Sequence, residues 1–249
     1  MLDKFLDYIT VEKRYSVNTI ISYRKDLEDF ECFILKTEAS IDFKKVDKKI
    51  VRNFIVHLGS QNLSKRSINR KLSSLRSFYL YLLRIGEISF SPLETIASLK
   101  FYAEKQIPFS EDEMNLLEAE IEKKSDITLL EKLIIETLYQ TGMRKSELCN
   151  LQFKNVDFST MELKILGKGN KERIVPVSSK LIRDFNNYIA IRKAQAEFDL
   201  YFFVSKKGKK LTEKFVYLVV NKYLSYVTTK TKKSPHILRH SFATHVLNK

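Results

Sequence analysis

Apolar residues along this 249-residue chain recur mostly at three- and four-residue steps, the repeat of one face of an α-helix. Over residues 1–98 the spacing predicts four helices, near 2–13, 17–36, 47–60 and 65–85, joined by short polar stretches such as TEASIDFKK and SQNLSKR. Short helices with tight connections predict a compact bundle. In the fourth, Ile68, Leu72, Leu75, Tyr79 and Leu82 form the buried stripe, while Arg66, Arg70, Ser73 and Ser77 fall on another face. Pro92 and Pro108 lie in a stretch that breaks the pattern, and an interdomain linker is expected at 99–109, between units 1–98 and 110–249.

The second unit opens with a helix over 110–123, where Ser110 and Glu113 have capping-box spacing, and a helix over 127–140 that ends at Gly142, a left-handed C-cap. The period then changes. LQFKNVDFS and MELKILGKGNKERIVPVS read as short strands, the latter folded into a hairpin through GKGNKE. Helices return over 179–195 and 211–227, and a last one starts at Ser234 and Pro235. Its stripe is Leu238, Phe242 and Val246, with His236, Arg239 and His240 on another face. The expected class is mainly α with a small antiparallel β-sheet.

Composition sharpens this picture. Six glycines and four prolines suit an α-rich chain. Two cysteines, Cys32 and Cys149, give no disulfide framework and no metal-ligand spacing, which fits a reducing compartment. No signal-peptide pattern or membrane-length apolar run is read, so a cytoplasmic location without a membrane partner is expected. The net charge of +14 points to a polyanionic partner, nucleic acid first. From Ser205 to Lys249 there are eleven Lys or Arg against Glu213 alone, whereas residues 1–98 carry seventeen against twelve. Six basic residues and no acids lie between Gln61 and Gly86, suiting the fourth helix to phosphates or a major groove.

Three segments could carry chemistry. In TGMRKSEL, residues 141–148, Arg144 enters a helix whose free N–H groups favour an anion; a plain surface pair with Glu147 is the alternative. In GKGNKER, residues 167–173, Lys168, Lys171 and Arg173 place three cations on one hairpin. The Walker spacing of a nucleotide loop is absent, so a DNA groove is a better physical reading than a nucleotide; a merely solvated turn is the alternative. In HILRH, His236 and Arg239 share a face, where an imidazole beside a guanidinium can hold a phosphoryl group and move a proton. Zinc on His236 and His240 is the rival, but no Glu stands at position 237 and no third ligand is near. His240 and His245 are expected as satisfied core histidines.

In this order, TGxRxSEL, GKGxKER and HxLRHxFATH resemble the catalytic domain of tyrosine recombinases of the phage integrase family, most closely the Xer type. SVNTIISYRKDLEDF and SINRKLSSLRSFYLYL resemble that family's SAM-like, helical core-binding domain. The resemblance implies an N-terminal bundle plus an α+β catalytic domain, and a transesterification of DNA without metal or cofactor. It implies that Arg144 and Arg239 neutralise the scissile phosphate, that Lys168 protonates the leaving 5′ oxygen and that His236 assists. Asn18, Thr19, Arg24, Lys65, Arg66, Arg70, Lys145, Lys171 and Arg173 would contact double-stranded DNA. The working form would be a homo- or hetero-tetramer on a recombination site, serving chromosome-dimer resolution or mobile-element integration. The family's nucleophile is a tyrosine, and none of the twelve here stands in its context. A chain truncated at its C-terminus, inactive in cleavage, is therefore expected, with Phe242, Val246 and Leu247 left short of packing partners. A non-catalytic DNA-binding remnant is the second reading. A type IB topoisomerase shares the chemistry, but the helical N-terminal domain argues against it.

Overall fold

The stripes become buried faces in two separate cores. In the computed structural model, which describes residues 1–37, 42–102, 107–123, 128–228, 230 and 233–247 except the side chains of Lys168 and Leu247, the chain forms two compact units, Met1–Glu104 and Lys105–Lys249. The expected linker lies partly on residues 103–106, outside the described residues.

The first unit contains α1 (Leu2–Val11), α2 (Val17–Thr37), α3 (Lys48–Ser60) and α4 (Lys65–Arg84). Asp47 and Ser64 start α3 and α4 by accepting backbone N–H groups from Ile50 and Ser67, as N-caps do. The whole predicted stripe of α4 is buried, together with Phe78. Around Phe78, Phe5 and Phe43 pack edge to face, an arrangement favoured by the ring quadrupole.

A small polar network sits inside this core. Asp26 is fully buried on α2 and accepts hydrogen bonds from Lys71 Nζ at 3.1 Å, Arg70 Nη1 at 2.5 Å and Ser74 Oγ at 2.8 Å, all from α4. Lys71, itself buried, also reaches Asp29. Removing the carboxylate strands the Lys71 ammonium without its buried partner. Asp26→Ala is expected to cost about 3–5 kcal/mol, read as a lower urea midpoint for the first unit's unfolding. An unchanged midpoint would mean that the network contributes nothing to α2–α4 docking.

The second unit holds α5 (Glu111–Lys123), α6 (Leu129–Thr141), α7 (Lys145–Cys149), α8 (Ser179–Ile191), α9 (Glu213–Val227) and α10 (Pro235–Leu247). Its sheet is β1 (Val156–Asp157), β2 (Glu162–Leu166) and β3 (Glu172–Pro176), antiparallel in the order β1-β2-β3. Ser110 and Glu113 form the predicted reciprocal cap, and Gly142 ends α6 in the left-handed conformation at φ 57°. Leu163 and Ile165 face the core while Lys164 and Leu166 face outward, the alternation of a half-buried strand.

Five expectations change. LQFKNVDFS enters the sheet only at Val156–Asp157: Phe153–Asn155 is a 3₁₀ turn, and the Asp157 carboxylate then bonds Ser159 and Thr160, turning the chain back. The helix expected to 195 stops at Ile191, because Arg192 turns extended and donates to the carbonyls of Asp199, Tyr201 and Phe202. In α10 the buried face is Ile237, Leu238 and Ser241, while Val246 is exposed. Phe242 is not left unpartnered: its ring lies over Gly142, where an added Cβ would come within 2.3 Å of it. His240 is exposed rather than in the core.

His245 is satisfied, as expected. Its Nδ1 meets the Tyr139 hydroxyl at 2.8 Å and its Nε2 the Phe109 carbonyl at 2.9 Å, a pair that a neutral ring protonated on Nε2 completes. One turn earlier, Ser241 Oγ accepts the Phe109 N–H at 2.8 Å. Both backbone groups of Phe109 are thus held by α10, which also packs along α6.

Candidate active site

Gly142 lets the chain leave α6 and re-enter a helix three residues later. Met143 is fully buried, and the next residue, Arg144, is the N-cap of α7. An arginine has no side-chain acceptor for a cap, so Glu147 does the capping: its Oε2 accepts the Arg144 N–H at 2.9 Å. Its Oε1 accepts from Arg144 Nη1 at 2.7 Å.

Two more arginines converge on this carboxylate. Arg173, which faces Ile165 across β2–β3, donates from Nη2 to Oε2 at 2.7 Å. Arg239, from the first turns of α10, places Nη1 3.9 Å from Oε2 and donates to the Gly142 carbonyl. The Glu147 side chain is only 5% exposed. Burial pushes its pKa upward, but the hydrogen bonds from Arg173 and Arg144 outweigh that and hold it below the ordinary carboxylate value. Burial, and then the Arg144 charge, pull Arg239 below the ordinary guanidinium value; with so high a starting point it stays cationic at neutral pH.

Arg144, Lys145, Ser146 and Tyr217 face Ser234, Pro235, His236 and Arg239 across a cleft of about 370 Å³. Arg144 is 49% exposed and Arg239 33%, so each keeps donors free for a ligand while one edge is held by protein. Two guanidinium groups and an imidazole around one cavity can bind a tetrahedral dianion and stabilise charge developing on its oxygens. Lys145 pairs with Glu213 at 3.1 Å. Lys168 begins the 3₁₀ turn Lys168–Asn170 at the hairpin tip, and Gly167 beside it is close enough that a Cβ there would lie 3.5 Å from Glu147 Oε1. The start of the hairpin tip therefore lies beside Glu147, the carboxylate that holds Arg144. Lys171 is exposed on the hairpin.

Sequence reasoning missed Ser146 and Tyr217 as cleft residues and treated Glu147 only as a surface partner. Among the described residues no group of three or more His, Cys, Asp or Glu side chains is placed to hold a metal ion, and no helix is long and apolar enough to cross a membrane.

The predicted contacts of the first unit divide. Lys65, Arg66 and Asn18 are exposed, and Arg70, though bound to Asp26, keeps half its side chain in solvent. Thr19 is engaged with Ser16 at the start of α2. Arg24 turns to α1, 3.4 Å from Asp3, and lies 3.9 Å from Glu28.

Comparison with known families places the chain. The model of the phage integrase family matches residues 109–249, and that of its N-terminal SAM-like domain matches residues 2–86. The chain belongs to the phage integrase family. Among relatives of this integrase-family chain, tyrosine recombinase XerC of Lacticaseibacillus casei is 35% identical over 98% of this chain and 84% of its own length. XerC of Staphylococcus aureus USA300 is 34% identical over 99% of this chain and 82% of its own. The fold is shared with the XerH recombinase bound to a palindromic difH substrate, at TM-score 0.77 and 22% identity over 99% of this chain and 73% of that one. It is also shared with the Tn1549 transposon integrase in complex with a circular intermediate DNA, at TM-score 0.74 and 20% identity over 99% and 86%.

Proposed function

We propose that this integrase-family chain serves site-specific recombination of the Xer type on double-stranded DNA, and that its arginine cleft holds the phosphate to be exchanged. The observation that carries the reading is the convergence of Arg144 and Arg239, from α7 and α10, on one cleft with His236. Without a metal, a phosphodiester in transfer needs fixed cations on its non-bridging oxygens. Arg144 and Arg239 fill that role, His236 binds the phosphate and assists the attacking group, and Lys168 on the hairpin protonates the departing 5′ oxygen. Attack by a tyrosine stores the bond as a 3′-phosphotyrosyl link, so rejoining needs no ATP. Exposed Lys65, Arg66, Arg70 and Lys171, with half-buried Lys145, add contacts along the duplex. The XerC relatives, alike over nearly the whole chain, support the Xer reading, and recombinases of the same fold bound to DNA support the duplex as partner.

None of the twelve tyrosines stands in the nucleophile's sequence context, so the 249-residue chain is proposed to bind DNA without cutting it, acting in a cytoplasmic four-membered complex with copies of itself or a second recombinase. The test selects duplexes from a random pool with this chain, then nicks them. The 249-residue chain should hold them without forming a detergent-resistant adduct. A fusion to the C-terminal remainder of the Lacticaseibacillus casei relative should form one. A fusion that binds its selected duplex and never becomes covalently attached would overturn the proposal in favour of a DNA-binding remnant.

A further inference from the structure

Beyond the cleft lies a second concentration of charge. SKKGKK, residues 205–210, puts four lysines into five consecutive positions, Lys206 to Lys210. The segment is a closed turn. Val204 and Lys210 form an antiparallel bridge. Ser205 N–H donates to the Lys209 carbonyl at 2.7 Å, and Gly208 N–H to the Ser205 carbonyl at 2.8 Å. Gly208 takes φ +71° with its Cα packed against the chain at Lys193, where a Cβ would come within 2.6 Å of the carbonyl oxygen. Its own carbonyl accepts from Gln195 N–H at 2.9 Å.

Backbone bonds, with Gln195 Nε2 donating to the Lys207 carbonyl and Ser205 Oγ accepting the Lys209 N–H, fix this turn; none of these bonds uses a lysine ammonium. Lys206, Lys207 and Lys209 are exposed, and among the described residues no carboxylate pairs with them. The contrast within the same unit is sharp: Lys180 is held by Glu118 and Glu122, and Lys132 lies 3.3 Å from Asp184. Like charges fixed side by side repel one another, and a polyanion relieves that repulsion.

The turn is tied to the helix whose other end lines the cleft. Lys210 Nζ donates to Asn150 Oδ1 at 2.5 Å, at the C-terminal end of α7, whose opposite end is Arg144. Lys145 and Glu213 tie the same helix to the start of α9, just after the turn. At 1.5 Å per residue, Arg144 and Asn150 are about 9 Å apart along α7. A strand presents a phosphate about every 3.4 Å of duplex axis, so that span is on the order of two or three nucleotides.

We propose that the Lys206–Lys210 turn is a second phosphate grip, preformed in the free chain, that holds the duplex backbone a few nucleotides from the linkage seated between Arg144 and Arg239. It rests on the DNA reading and adds a binding site to it. The test is the salt dependence of binding to a random-sequence 30-base-pair duplex, for the 249-residue chain and a variant with Lys206, Lys207 and Lys209 changed to Ala. Every phosphate left without its lysine should flatten the slope of log affinity against log salt by about 0.9, so the triple variant should lose roughly 2–3 from it. The matching Lys→Arg variant should keep the original slope, which a merely structural effect of the substitutions would not produce. Removing exposed Lys4, Lys36 and Lys49 instead is expected to leave the slope nearly unchanged; an equal loss there would assign the effect to net charge and overturn the proposal. A triple Ala variant with the original slope would overturn it as well while leaving the DNA reading intact. If the unaltered chain shows no salt-dependent binding, both fall.

Discussion

Glu147→Ala is expected to lower the melting temperature of the second unit by about 6–12 °C. The carboxylate is almost wholly buried and receives Arg144 and Arg173 directly, with Arg239 close by. Without it three guanidinium groups face one another across a partly dry space. Leaving buried charge uncompensated costs several kcal/mol, and because all three arginines keep access to water the low end, about 3 kcal/mol, is the fitting figure. For a domain of this size each kcal/mol moves the midpoint by about 2–4 °C. The effect carries a pH signature. Arginine hydrogen bonds hold the folded-state pKa of Glu147 below its ordinary 4.5, so its stabilisation is fully present at neutral pH and is lost as pH falls through the folded value. The gap between the wild-type chain and Glu147→Gln, measured by scanning calorimetry, should therefore narrow on acidification below about pH 4.5. A gap that stays constant to pH 3 would mean that charge is not what Glu147 contributes.

Arg239→Ala should slow covalent adduct formation by the cleavage-competent fusion by about 10²–10³-fold, the usual cost of losing one fixed donor to a developing oxyanion. Affinity for the same duplex should fall far less, since only one of many phosphate partners is removed and the salt slope changes by only about 0.9. Arg239→Lys restores the charge but not the planar fork that can donate to Gly142 and to a phosphate together, so binding should recover more than rate. Equal losses in affinity and rate would make Arg239 a general DNA-binding group instead of one acting on the transferred phosphate.

The helices were legible in the sequence because their apolar stripes are long and regular; the α4 stripe from Ile68 to Leu82 is buried throughout. The order of the three motifs pointed to Arg144, His236 and Arg239, which the fold brings to one cleft. Glu147 was hidden in plain view: an acid three residues after an arginine reads the same whether it is solvated or buried, and its second bonded arginine comes from β3. Tyr217 gave no signal, since a lone tyrosine beside the buried Val216 and Val219 looks like an ordinary flank of α9. The LQFKNVDFS strand shrank to Val156–Asp157 because a 3₁₀ turn over Phe153–Asn155 precedes it and the Asp157 side-chain turn ends it. His240 failed for a simpler reason, as it lies off the Ile237, Leu238 and Ser241 face that α10 buries.

The hold of α10 on Phe109 makes that residue an indicator of how well the cleft is seated. Its N–H is shielded by Ser241 and its carbonyl by His245, so deuterium can reach the amide only when the helix carrying His236 and Arg239 lifts away. Slow exchange at a single position thereby tracks the seating of the two residues, His236 and Arg239, that α10 contributes to the cleft.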